Sequence, residues 1–197
     1  MKKLLKLTAF FLVALLALGL VRDRWMLDSG LVRLHVVGAS DSSEDQTGKL
    51  QVRDAVLEYV RSLGTPDNVR EAKRLLEENL SGITEAANRA LGGRNTAIVT
   101  LCREAFPIRE YDSFTLPSGV YDSLRVRIGE AAGRNWWCVV FPSLCVPAAG
   151  ETMESVAAGA GFSENLTRTI TGEEYTVSFA LLDLLGKAES FFFRLFG

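Results

Sequence analysis

"LVRLHVVGASDSSEDQTGKLQVRDAVLEYV", residues 31–60, decides the reading of the fold. Its first seven residues alternate, Leu31, Arg33 and His35 against Val32, Leu34 and Val36, which is the two-residue period of a strand with one face buried. Gly38-Ala39-Ser40-Asp41-Ser42-Ser43 then stops the strand in a polar loop. Ser43 stands three residues before Gln46 in capping-box spacing, and Glu44 and Asp45 suit the positive end of a helix dipole. A helix is expected from Glu44 to Leu63, with Val52, Val56, Tyr59, Val60 and Leu63 on one face and Lys49, Arg53 and Arg61 toward water.

Downstream, Thr65-Pro66-Asp67 has the order of an N-cap, an N1 proline and a first-turn acid. The helix it opens carries Val69, Ala72, Leu76, Leu80, Ile83, Ala87 and Ala90 at steps of three and four, as far as Gly92-Gly93, with Ser81-Gly82 a candidate kink. Asn95 to Arg103 reads as a strand, and Arg109 to Leu116 is expected to return on it as an antiparallel hairpin. Val120 to Ile128 fits both periods. Tyr121, Leu124 and Ile128 suit a helix and Leu124, Val126 and Ile128 a strand, and helix is the expectation. After a polar turn, Trp136 to Phe141 forms a short buried strand cut by Pro142. This order argues for an α+β domain over residues 29–147, a small, mainly antiparallel sheet covered by helices.

Residues 148–173, rich in alanine, glycine, serine and threonine, read as a flexible linker with a short helix over Glu151 to Ala158. Residues 174–197 form an amphipathic helix. Asp183, Lys187, Ser190 and Arg194 make its polar stripe, and Leu181, Leu185, Ala188, Phe192 and Leu195 lie on its other faces. Such a helix needs a partner surface, which is its own domain, a membrane interface or another protein.

Upstream, Met1-Lys2-Lys3 precedes the uncharged run TAFFLVALLALGLV, Thr8 to Val21. Residues 1–24 read as a signal peptide, with a small-x-small site at Ala17-Leu18-Gly19, or as an uncleaved signal anchor over residues 4–21. In both cases Lys2, Lys3 and Lys6 hold the N-terminus inside and the body lies outside the cytoplasm. The formal charge of -2 over 197 residues leaves no basic surplus for phosphate backbones, so nucleic acid is not an expected partner.

The chemistry-bearing residues are few. His35 is the sole histidine and has no nucleophile in a hydrolase motif beside it, and no zinc spacing or phosphate loop is present, so neither an enzyme nor a cofactor is expected. Cys102, Cys138 and Cys145 are an odd set. Cys138 and Cys145 lack redox-dithiol spacing, and either a structural disulfide or simple burial accounts for them. Asp41, Glu44 and Asp45 lack the ligand pattern of a calcium loop and read as helix capping or as partner contacts. Trp136 and Trp137, adjacent on a strand, point to opposite faces, so one fills the core and the other is a candidate hot spot.

"GRNWWCVVFPSLC" (133–145), "FPIREYDSFTLPSGVYDSLRVRIGEAAG" (106–133) and the opening stretch together resemble the stage II sporulation protein R family, over about residues 31–146. In this chain Gly38 and Ser143 stand where that family more often has asparagine and a second proline. The resemblance implies a signalling protein, exported from the forespore into the space between the forespore and mother-cell membranes. There it would activate a membrane-embedded aspartic protease that processes the sigma-E precursor. On that reading Asp41, Ser42, Glu44 and Asp45, with Arg134, Asn135, Trp136 and Trp137, are candidate partner contacts. The alternative is a generic extracytoplasmic, membrane-anchored protein-binding module without effect on a protease.

Overall fold

The computed structural model describes residues 2–143, 153–172 and 176–196. In chain order its elements are α1 (Lys2–Gly30), β1 (Val32–Val37), α2 (Ser43–Ser62), α3 (Val69–Glu78), α4 (Leu80–Leu91), β2 (Ala97–Phe106), β3 (Arg109–Glu110), β4 (Thr115–Leu116), β5 (Gly119–Ile128), β6 (Asn135–Phe141), α5 (Met153–Gly159), α6 (Glu164–Thr171) and α7 (Val177–Phe196). Four strands form one sheet in the order β2-β5-β1-β6. β1 runs parallel to β5, and β1–β6 and β2–β5 are antiparallel, so the fold is α+β with a mainly antiparallel sheet.

The alternation read in β1 sorts the two layers. Val32, Leu34 and Val36, all fully buried, point at α2, α3 and α4 and join Val52, Val56, Leu76, Ile83, Leu124, Val126 and Cys138 in one core. Each such aliphatic side chain contributes about 1.5–3 kcal/mol by leaving water. Two glycines let this layer close. A Cβ on Gly82 would lie 2.0 Å from the Tyr59 hydroxyl, where α4 meets α2, and Gly92 ends α4 at φ +57°.

The opposite face of β1 is covered as well, and the expectation of one buried face fails there. Arg33 is fully buried. A second core gathers Leu27 and Leu31 from the α1–β1 junction, Phe106, Tyr121 and Val139 from the sheet, and Phe162, Leu166, Ile170 and Leu182 from α6, α7 and their approach. The described part of the stretch expected to be a linker therefore includes α5 and α6, because Phe162, Leu166 and Ile170 have the spacing to bury one face of a short helix. The last turns of α1 belong to the same layer. Arg24 donates to the Ser118 carbonyl (2.8 Å), to Asp28 (3.0 Å) and to Glu189 of α7 (2.9 Å). Residues 4–21, by contrast, stand largely exposed and apolar, on a helix long enough to cross a membrane.

Four local expectations are corrected. Val120 to Ile128 is a strand, because β5 lies between β1 and β2 and its backbone pairs on both sides. Arg109 to Leu116 does not return on β2. Its ends pair with each other, as β3 and β4, and it is β5 that pairs with β2 along its whole length. The second helix is two helices that break at Asn79, whose side chain donates to the Leu75 carbonyl, rather than one bent at Ser81-Gly82. The polar stripe of α7 is split: Asp183 and Ser190 are buried and Lys187 and Arg194 exposed, while Leu181, Leu185, Phe192 and Leu195 are exposed as well. The reason is a specific polar anchor. Asp183 accepts from the Ser118 amide (2.8 Å) and hydroxyl (2.6 Å), and Gly186 lets α7 lie against the Ser118 carbonyl, which a Cβ there would approach to 1.7 Å.

Candidate functional site

At the far end of β1, the β1–α2 loop and the β5–β6 turn are tied backbone to backbone. Gly38 N donates to the Arg134 carbonyl (3.3 Å), Gly133 N to the Gly38 carbonyl (2.9 Å) and Ala132 N to the Ala39 carbonyl (3.2 Å). Gly133 is required for this approach, because a Cβ there would lie 2.2 Å from the Ser40 carbonyl oxygen. A Cβ on Gly38 would first meet the end of the Gln46 side chain at 2.8 Å, a group that can move, so a larger residue fits there more easily.

The side chains around this seam divide into those that hold it and those that it presents. Ser42, not Ser43, is the N-cap of α2 and accepts from the Asp45 amide (3.1 Å). Asp45 accepts from Ser40 Oγ (2.5 Å) and Asn95 Nδ2 (3.1 Å), which ties the loop to the start of β2. Lys49 was expected to face water. It is buried instead and donates to Gln46 Oε1 (2.7 Å) and the Arg134 carbonyl (3.2 Å). Burial, reinforced by the nearby charge of Arg134, holds its ammonium below the usual lysine range. Asp41, Glu44 and Arg134 are presented to solvent. Asp41 accepts from the Arg134 amide (2.7 Å) and faces its guanidinium at 3.7 Å, and Glu44 lies 3.8 Å from Arg94. The result is a rim of fixed backbone carrying mixed, exposed charge.

Asn135 and the two tryptophans extend the rim down β6. Trp136 packs on the first core with the Arg53 guanidinium 5.1 Å from its ring centroid. Trp137 points to the other face, as adjacent strand residues must, and lies between His35 (5.5 Å, interplanar 20°) and the Arg109 guanidinium (3.5 Å). His35 in turn sits 3.0 Å from Glu104 Oε2 and 2.9 Å from Asn135 Oδ1. Burial alone would raise the Glu104 carboxyl. The hydrogen bond to His35 and the charge of Arg125 outweigh it and hold the group below the usual carboxylate range. Both ring nitrogens of His35 are thus occupied by neighbours, which suits fixing the Trp137 ring rather than offering a base to a substrate.

All eight candidate contact residues therefore lie at one end of the sheet, Ser42 and Asp45 as supports and the others wholly or partly accessible. Cys138 is buried and disulfide-bonded, and Cys102 is a free thiol. Cys145 lies outside the described residues. Among the described residues no cluster of histidine, cysteine and carboxylates could hold a metal ion. At the other end of β6, Val140, Phe141 and Pro142 line a cleft of about 610 Å³ with Leu57, Leu63 and Pro66. Lys49, Asn95, Arg109 and Glu104 carry no signal of the site in the sequence, because each meets it only through contacts between segments distant in the chain.

Residues 28–151 match the model of the family described as "Stage II sporulation protein R (spore_II_R)". A curated relative, stage II sporulation protein R of Bacillus subtilis (strain 168), is 31% identical over 118 residues, which is 58% of this chain and 53% of that protein. The matched part thus spans about half the length of the relative. No solved structure matches. The chain belongs to the stage II sporulation protein R family.

Proposed function

We propose that this member of the stage II sporulation protein R family is an intercellular signal of endospore formation, not an enzyme. On this reading it is exported from the forespore into the space between the two membranes, and it activates a membrane-embedded aspartic protease of the mother cell that processes the sigma-E precursor. The observation that carries the reading is the rim. Its backbone is immobilised by the Gly38–Arg134 and Gly133–Gly38 hydrogen bonds, while Asp41, Glu44 and Arg134 stand in solvent. A surface fixed in advance binds with less loss of conformational freedom, which is what a recognition element requires.

The rim acts by preferring one form of its partner. An activator shifts a population only through differential affinity, so contacts of the rim and of Trp137 must be better made on the active protease than on the inactive one. The exposed, apolar residues 4–21 supply export, and either removal of this segment or its retention as an anchor leaves the domain on the same side of the membrane.

The test is co-expression of the chain with the matching protease and sigma precursor in a bacterium that does not sporulate, with precursor size followed on a blot. Shortening only when all three are present is expected. An unchanged precursor, with the protease and export both verified, would overturn the proposal in favour of a generic extracytoplasmic binding module.

A further inference from the structure

Helix α7 carries apolar residues on both sides, Phe179 and Leu182 buried against the domain and a second set facing outward, which is not the pattern of a helix with one side in water. Its acids face the domain: Asp183 is buried against Ser118, and Glu189 pairs with Arg24 and Arg103. Its outward face carries Leu181, Leu184, Leu185, Phe191, Phe192 and Leu195, each at least 40% exposed. Leu181, Leu184, Leu185, Phe192 and Leu195 recur at helical spacing on one side, an apolar stripe of the kind that a soluble surface avoids. Lys187 and Arg194 are the exposed charged residues of this helix, and both are basic.

What covers this stripe is indicated by its neighbour. α7 packs on the last turns of α1, through Arg24 and Glu189, where α1 leaves the domain and becomes the exposed apolar segment 4–21. Trp25, 64% exposed, and Arg22 stand at that exit, the residue types that mark the boundary between hydrocarbon and headgroups. A bilayer that receives residues 4–21 thus begins beside α7.

We infer that the outward face of α7 lies in the headgroup region of the membrane that holds α1, with Lys187 and Arg194 toward anionic lipid. The chain then meets the bilayer at two places, a spanning helix and an interfacial one. This fixes the tilt of the domain, whereas a single helix would leave it free. The assignment rests on α1 staying attached, and it is independent of any effect on a protease.

The test uses the full chain in a Cys102→Ser background, reconstituted without reductant into vesicles of phosphatidylethanolamine and phosphatidylglycerol. A single cysteine replaces Leu184 or Phe192, with Leu12 and Glu85 as references, and carries an environment-sensitive fluorophore; the background protein without an added cysteine gives the labelling blank. At 184 and 192 we expect a blue-shifted emission that is lost when spin-labelled lipid quenches near the headgroups. Leu12 should be quenched by tail-labelled lipid, and Glu85, on the opposite layer, by neither. Water-like emission at 184 and 192 with Leu12 in lipid would overturn the assignment. So would quenching at 184 and 192 by a second labelled copy but not by lipid, which would make the stripe a dimer interface. Leu12 outside lipid would overturn the anchored arrangement itself, a result distinct from failed protease activation.

Discussion

Replacing Asp183 by alanine is the sharpest probe of how the C-terminal helix is held. The carboxylate accepts from the Ser118 amide at 2.8 Å and the Ser118 hydroxyl at 2.6 Å, at a site where the side chain is 2% exposed, and it pairs with Lys187 at 2.8 Å. Its removal leaves the buried Ser118 amide without that acceptor, at about 1–3 kcal/mol, while the Ser118 hydroxyl still reaches the Asp183 backbone carbonyl at 3.1 Å. We discount the Lys187 contact, because the lysine is 64% exposed and screened by water. Taking about 2 kcal/mol for the amide, and about 2–4 °C per kcal/mol for a domain of this size, Asp183→Ala should lower Tm by roughly 4–8 °C. Both Ser118 bonds go to one carboxylate oxygen, so Asp183→Asn, whose amide oxygen can accept both, should stay nearer the parent than Asp183→Ala. Thermal unfolding of the detergent-solubilised chain, followed by circular dichroism, reads both. A Tm for Asp183→Ala within one degree or so of the parent would refute the argument, because it would mean that Asp183 faces water, as its place in a polar stripe suggested.

The other expectations concern the rim and its supports. Asp41→Ala, Glu44→Ala and Arg134→Ala should abolish precursor processing in the co-expression assay and leave stability within about 0.5 kcal/mol, since all three are exposed; a matching loss of Tm would make them structural instead. Ser42→Ala removes the N-cap of α2 and should cost about 1 kcal/mol in urea unfolding. Gly133→Ala forces a Cβ to 2.2 Å from a backbone oxygen and should cost about 1–3 kcal/mol; an unperturbed midpoint would show that the loops are not in contact. Glu104 sits below its ordinary value of 4.5, so its stabilising contribution is fully present above that pH and is lost as pH falls through the lower folded value. Glu104→Gln should therefore flatten the acid limb of a stability–pH profile, and an unchanged limb would remove Glu104 from the account.

The sequence was most legible where a pattern is local. The alternation of Val32, Leu34 and Val36 and the periodicity of α2 gave both elements nearly to the residue. Adjacency on a strand is enough to send Trp136 and Trp137 to opposite faces. Legibility failed where distant chain decides. Val120 to Ile128 carries both periods, and only its position between two strands selects one. Arg33 looked like a solvent residue, but Phe106 and Tyr121 cover its guanidinium at 4.1 and 4.9 Å. The polar stripe of α7 is legible in the sequence, but which of its residues are buried is not, because Ser118, which anchors Asp183, lies far away in the chain. At the site, proximity of the 38–45 and 129–135 segments follows from β1 and β6 being neighbours, which no spacing within either segment reveals.

One residue, Leu31, separates the end of α1 at Gly30 from the start of β1 at Val32, and β1 runs without interruption to Val37, beside the rim. Five strand steps of about 3.3 Å place the rim about 17 Å along the chain axis from that junction. While the apolar helix stays attached, the rim loops are thus carried on a post, not on a leash. A leash would let them sweep a wide volume at modest local concentration. A post would confine them to one height above a membrane holding that helix, so that, on the proposed function, a receptor of matching stature meets them at high effective concentration and a shorter or taller one does not.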